Sequence, residues 1–284
     1  MSDQNPDDLK IKGQQKAAWD DSAEGWKRWW PTFERSAQLV NDRLVKLAAL
    51  RAGHRVLDIA TGSGEPALTA ARAVGQSGRV VAVDMSPAML AIARERIDAA
   101  ALTNVDLVES DAESLRLDPH SFDAVLSRWG LMFMPDLDGV VSAMHRALKP
   151  GGRFATAVWS DAARVPMCGL ARDAIRRITG IVPPPNAVDP TRLADTAILE
   201  RSLTAAGFRD VTIERLIVIF EFPSPDAFAD FRGQIGGTRA MLSKMPADVA
   251  RQVREAVVAS AREFANDAGI VRLINETICF CARA

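Results

Sequence analysis

The segment Val56-Leu-Asp-Ile-Ala-Thr-Gly-Ser-Gly-Glu65 passes from an apolar run through an acid straight into a glycine turn. An apolar strand that must give way at once to a helix leaves few architectures open, because this is the join of a β-α-β unit. After Pro66 and a helical stretch, a second strand, Arg79-Val-Val-Ala-Val83, delivers Asp84, twenty residues beyond Gly64. Gly62 and Gly64 let the backbone turn tightly and approach a ligand, and an acid about 20 residues further on suits the two hydroxyls of a ribose. The pattern is that of a nucleoside site.

The alternation continues along the chain. Apolar strands at 55–59, 79–83, 105–109, 122–126 and 153–159 are separated by helical patterns at 66–74, 87–100 and 137–148. That is the signature of a doubly wound α/β sheet. Ser86-Pro87 reads as an N-cap with proline at the first helical position, and Asp136 as the cap of a helix that Lys149-Pro-Gly-Gly152 ends. Beyond 160 the pattern predicts helices near 167–179 and 196–206 around a linker at Pro183-Pro-Pro-Asn186. A long strand, Val211 to Phe222, and a last one, Thr277 to Arg283, bracket a helical insertion at 225–270. The expected organisation is a flexible tail at 1–13, a helical cap at 14–52 broken near Pro31, a nucleoside-binding core at 53–160, and a C-terminal part at 161–284. This last part completes a seven-stranded, mostly parallel sheet.

Charge separates the possible nucleosides. In dinucleotide-binding folds a pyrophosphate rests on backbone N–H groups at the helix mouth, where an acid would repel it. Here Asp58 precedes the turn, Glu65 follows it, and Pro66 removes an N–H donor. Two carboxylates favour a ligand carrying positive charge, such as the ammonium and sulfonium of S-adenosylmethionine, over a dinucleotide.

With these residues the chain resembles the class I S-adenosylmethionine-dependent methyltransferases. Within them it is similar to the UbiE-like group (methyltransferase types 11 and 25), which includes quinone C-methyltransferases and many small-molecule enzymes. The matching pieces are Val56 to Gly64, Val81-Ala-Val-Asp-Met-Ser-Pro-Ala-Met-Leu90, Ser110-Asp-Ala-Glu113, Ser121-Phe-Asp-Ala-Val125, Ser127-Arg-Trp-Gly-Leu-Met-Phe133 and Leu148-Lys-Pro-Gly-Gly152. The resemblance covers residues 54 to 160. It implies a Rossmann-like fold, methyl transfer, and S-adenosyl-L-homocysteine as the spent cofactor. It further implies that Asp58, Ala60, Gly62 and Gly64 line the methionine end, that Asp84 takes the ribose with Met85 against the adenine, and that Asp111 and Ala112 hold the adenine edge. Ser127 and Arg128 would sit beside the methionine moiety.

Composition narrows the acceptor. Net charge is −1 and the basic residues are dispersed, which argues against nucleic acid. No eighteen-residue uncharged apolar window occurs, and Met1-Ser-Asp-Gln-Asn-Pro-Asp-Asp lacks the marks of a signal peptide, so the expected setting is cytoplasmic, with no membrane span. Cys168, Cys279 and Cys281 make neither a disulfide framework nor a metal site. Of the six tryptophans, Trp19, Trp26, Trp29 and Trp30 crowd the cap, Trp129 lies just past the fourth strand and Trp159 at the end of the fifth. Trp19, Trp26 and Trp30 fall at helical spacing. Either this face packs the cap onto the sheet, or Trp19, Trp26, Trp30, Trp129 and Trp159 wall an apolar cleft for an aromatic acceptor. Tyrosine is absent, and none of the three histidines falls at the acceptor side. Catalysis therefore reads as positioning, with Arg128 offsetting developing negative charge and Asp161 or Glu24 as candidate bases. A small-molecule acceptor of secondary metabolism is expected, on a monomer or homodimer. A non-catalytic cofactor-binding subunit and an aminopropyltransferase on the same fold are the competing readings.

Overall fold

In the computed structural model, residues 6–181 and 189–284 are described. The expected linker Pro183-Pro-Pro-Asn186 lies outside them. Five parallel strands, β1 (Arg55–Ile59), β2 (Arg79–Asp84), β3 (Val105–Glu109), β4 (Phe122–Arg128) and β5 (Leu148–Trp159), form the start of one sheet. Two long strands, β6 (Arg209–Phe222) and β7 (Val271–Arg283), complete it, with β7 antiparallel to both β5 and β6. The order is β3-β2-β1-β4-β5-β7-β6. The seven-stranded, mostly parallel sheet expected from the sequence is the one observed.

The strand order reverses direction between β1 and β4. The loops leaving their carboxyl ends therefore diverge to opposite faces and leave a crevice, which is where open α/β sheets bind ligands. Helices α2 (Ala67–Val74), α3 (Pro87–Ala99) and α4 (Leu137–Ala147) make the crossovers. The last two start at the expected caps: Ser86 Oγ accepts from Met89 N, and an Asp136 carboxylate oxygen accepts from Gly139 N. α5 (Pro166–Thr179) and α6 (Thr196–Ala205) follow β5.

Three boundaries differ most from the sequence reading, and one is the start of β5, at Leu148 rather than at 153. The N-terminal helix α1 (Pro6–Leu47) runs unbroken through Pro31 and begins inside the stretch expected to be a loose tail. An interior proline costs a helix about 3 kcal/mol or more. Here Trp29, Phe33, Ala37, Val40 and Leu44 bury one side of α1 in the core, and that apolar burial outweighs the local defect. The tail becomes helix because Lys12 is anchored below it, as described next. The insertion between β6 and β7 consists of α7 (Pro225–Gln234), α8 (Gly236–Leu242) and α9 (Ala247–Arg262). It closes at 270 as expected, but β7 starts at Val271 rather than Thr277. Among the described residues, no helix is long and apolar enough to cross a membrane.

Candidate functional site

The loop leaving β1 is held open by left-handed backbone. Ala60, Gly62 and Gly64 have φ of 55°, 57° and 101°, a region that disfavours side chains other than glycine's. Gly62 N donates to Asp84 Oδ2 at 2.8 Å, and Ser86 N donates to Asp84 Oδ1 at 2.9 Å. The acid at the end of β2 thus ties two loops together while its carboxylate still faces the crevice. On the other side, Ser127 Oγ donates to Ile59 O at 3.1 Å and staples the ends of β4 and β1. Gly130 completes the join: a Cβ there would lie 2.6 Å from Ala60 Cβ and 2.8 Å from Ser127 Oγ. Any larger residue would force the two loops apart.

The resulting cleft is one cavity lined by Lys12, Gln15, Asp84, Met85, Met89, Asp111, Ala112 and Glu113, by Ala60, Thr61, Gly62, Ser63, Glu65 and Gly130, and by Trp19, Trp26, Phe33, Arg128, Trp129, Phe133 and Met134. Trp19 and Trp26 also pack against the cluster that holds Met89. Of the nine expected cofactor residues, the structure therefore brings Ala60, Gly62, Asp84, Met85, Asp111 and Ala112 to one cavity. Asp58, Gly64 and Ser127 stand behind it. Asp58 is fully buried, its Oδ2 accepting from Ala67 N at 3.0 Å at the start of α2. Gly64 is pressed against Leu68, 2.6 Å from where its Cβ would be, so it serves close helix packing.

Other expectations need correction. Asp161 is exposed, caps a short 3-10 turn after β5 and pairs with Arg164 at 3.4 Å. Glu24 lies on the exposed side of α1. Neither lines the cleft, so neither is placed to act as a base. Arg128 does line it, but its charge is already committed. Its guanidinium donates to Glu34 at 2.7 and 3.1 Å and to Asn41 Oδ1 at 2.7 Å, and Asn41 Nδ2 donates back to Glu34 at 2.6 Å. Burial alone would raise the Glu34 carboxyl, and the Arg128 guanidinium overrides it and holds the group below its usual range. Trp30 turns away from the cleft under the Arg96 guanidinium, 4.1 Å from the ring centroid. Trp159 lies behind Trp129, stacked on it with centroids 4.1 Å apart. Trp129 Nε1 donates to Thr277 Oγ1 at 2.9 Å, which fixes the ring that does face the cavity.

Sequence reasoning missed Lys12, Gln15, Phe33, Gly130 and Phe133. Lys12 is buried and paired with Asp111 at 2.7 Å and Glu113 at 2.6 Å. Lys16 donates to Met85 O at 2.6 Å. The first turns of α1 thereby close over the cleft, and Asp111 faces a lysine as well as the cavity.

Burial shapes the electrostatics of the mouth. It pushes the Asp58 carboxyl up to about 7 and raises Glu65 and Asp84 in the same direction. Glu65 already meets Arg96 at 3.3 Å, whereas Asp58 and Asp84 have no ion pair among the described residues, and buried acids of that kind favour a cationic ligand. Gln15 Nε2 and Trp26 Nε1, N–H donors of cleft-lining residues, have no hydrogen bond in the protein and are left to serve acceptor atoms of a bound ligand. An acid-rimmed, polar and aromatic cleft of this kind fits an adenosyl sulfonium.

Residues 56–152 match the model of a methyltransferase domain family. They are a methyltransferase domain. The S-adenosylmethionine-dependent class implied by the sequence is therefore the class of this core. A ubiquinone/menaquinone biosynthesis C-methyltransferase, UbiE, of Pseudomonas putida is 40% identical over 111 residues, 39% of this chain and 43% of that protein. The chain thus matches less than half the length of this relative. Among solved structures, the YcgJ protein of Bacillus subtilis aligns over 86% of this chain and 97% of its own, with a TM-score of 0.57 and 19% identity. A Haemonchus contortus phosphoethanolamine N-methyltransferase, solved with phosphomonomethylethanolamine and S-adenosylhomocysteine, aligns over 84% and 51%, with a TM-score of 0.53 and 23% identity. These two share the fold.

Proposed function

We propose that the protein transfers the methyl group of S-adenosylmethionine to a carbon, oxygen or nitrogen atom of a small, apolar, aromatic metabolite. The observation that carries this reading is that a single cavity holds both parts of the site. Its lining joins the polar groups around Asp84, Asp111 and Gly62 to the rings of Trp19, Trp26, Phe33, Trp129 and Phe133. In this reading Asp84 holds the ribose hydroxyls, Met85 and Ala112 flank the adenine, and the loop from Ala60 to Gly62 takes the methionine end. When bound, the cofactor would supply an electrophilic methyl on sulfur; the electron pair that takes it is a lone pair on oxygen or nitrogen or a π pair on carbon, and the sulfur is left as a neutral thioether.

The chain's own contribution is placement and exclusion of water. Holding two reactants in line supplies up to about 7–11 kcal/mol of a barrier. Aromatic faces near a sulfonium add about 0.5–2 kcal/mol. Trp26 Nε1 offers an unsatisfied donor to an acceptor oxygen in the same cavity. The carboxylates of the lining are already engaged: Glu65 with Arg96 and Thr69, Asp84 with Gly62 N and Ser86 N, and Asp111 and Glu113 with Lys12, while Glu34 is committed to Arg128; no histidine lines the cavity among the described residues. The acceptor must therefore release its proton to solvent without help, as a phenol, an enolisable ring or an amine does. A screen with tritiated-methyl cofactor against quinones, phenols, indoles and amines is expected to label at least one planar aromatic class. Labelling of none, with cofactor binding intact, would favour a non-catalytic role.

Binding should also be linked to protons. A cation favours the ionised form of Asp58 and Glu65, so it lowers their raised values and releases protons on binding. Affinity for S-adenosylmethionine is expected to rise with pH up to about 7, while the uncharged-sulfur product binds with a flatter profile. Calorimetry in two buffers of different ionisation enthalpy measures the protons released. Equal proton release for the two ligands would refute the charge argument.

A further inference from the structure

Among the described residues, strand β6 is the edge of the sheet and pairs only with β7, in unbroken register from Thr212 to Phe222. Natural edges are normally blunted by lysine, proline or a bulge, because a row of unpaired backbone groups invites another strand. This one has none of these between Thr212 and Phe222. Its outward face has an apolar centre between two charges, Arg215 and Glu221: Ile217 and Ile219 are 48% and 37% exposed, and Ile274, opposite Ile219 on β7, is 60% exposed.

The sequence along this edge is self-complementary. In Arg215-Leu-Ile-Val-Ile-Phe-Glu221, a second copy running antiparallel about Val218 brings Arg215 opposite the other copy's Glu221 and Ile217 opposite its Ile219. Within one chain Arg215 pairs with Glu276 at 2.6 Å and Glu221 with Arg272 at 2.8 Å. The antiparallel register therefore extends these ion pairs into a row of alternating sign across the seam, and gathers the exposed isoleucines of both copies beside it. Shifting the register by one residue would move the isoleucines off their row, so the pattern selects a single alignment.

We propose that β6 pairs with β6 of a second copy of this chain, giving a two-fold dimer with one sheet continuous through both subunits. Such pairing is isologous and uses up the edge, so assembly stops at two. Sedimentation of the wild-type chain is expected to show a mass twice the 30.8 kDa of one chain. Two double variants separate charge at the seam from loss of apolar surface, and both side chains are exposed, so the fold is unaffected. Ile217→Lys with Ile219→Lys sets lysine against lysine and is expected to yield monomer. Ile217→Lys with Ile219→Glu sets lysine against glutamate and is expected to remain dimeric. A monomeric wild type, open-ended association, or the same mass for both variants would overturn the proposal.

Discussion

Replacing Glu34 with alanine is expected to remove about 3–5 kcal/mol from the free energy of unfolding, a large share of the roughly 5–15 kcal/mol typical of a folded domain. The magnitude follows from what is left behind. Arg128 lies at the end of β4 with its side chain only 8% exposed, and its partners are Glu34 and Asn41 on α1. Without the carboxylate, a guanidinium stays in the interior between the rings of Phe33 and Trp129, which attract it too weakly to make up the loss. Urea denaturation followed by tryptophan fluorescence measures the change, and a loss below about 1 kcal/mol would mean that water reaches Arg128. Acidity provides a second check. A carboxyl held below its ordinary value contributes stability that is present above that value and is lost as acid protonates it, so the wild-type advantage over Glu34→Ala should shrink below about pH 4.5. Asp58 acts in the opposite sense: its raised value makes its contribution fall as pH rises from about 4 towards 7.

The same pair explains which parts of the site were legible beforehand. Asp84, Gly62, Met85 and Asp111 sit at fixed short distances from strand ends, so a local pattern is enough to place them. Glu34 and Arg128 are 94 residues apart, and nothing near either one marks the other. Asp161 and Glu24 were suggested by residue type alone, and type does not say which way a side chain turns. The N-terminal helix lies between these cases. Lys12, Gln15, Trp19, Trp26 and Phe33 recur at intervals of three, four, seven and seven, a single helical stripe that lines the cleft. The stripe was cut at Gly13 and Pro31, two residues that local propensity reads as breaks. In the folded chain, Trp29 and Phe33 are buried on either side of the proline, and Lys12 is fixed between Asp111 and Glu113. Tertiary contacts decide both points, and no window of sequence contains them. The early start of β7 was hidden similarly: Arg272 and Ile274 are exposed while Val271 and Leu273 are buried, a half-wet alternation outside the apolar run that began the expected strand.

Changing Asp84 to asparagine is expected to weaken S-adenosylmethionine binding by about a hundredfold or more, with little loss of folded protein. Hydrogen bonds to a charged group are worth about 1.5–3 kcal/mol each, and tenfold in affinity is about 1.4 kcal/mol. Losing the charge beneath two ribose hydroxyls therefore suffices for two decades. The rest comes from the loops. Both carboxylate oxygens accept backbone N–H groups, from Gly62 and Ser86, so an amide must turn its NH2 towards one of them and push that loop away. The displaced loop is either the glycine turn or the start of α3, and each borders the cleft. Removing a buried, partly uncompensated acid offsets the broken hydrogen bond, since burial already disfavours the ionised Asp84. The variant should thus separate binding from folding: calorimetric titration loses the cofactor while the thermal midpoint without ligand stays close to wild type. Unchanged affinity would remove Asp84 from the ribose. A collapsed midpoint would assign it to the scaffold, where its two backbone contacts would be its whole role.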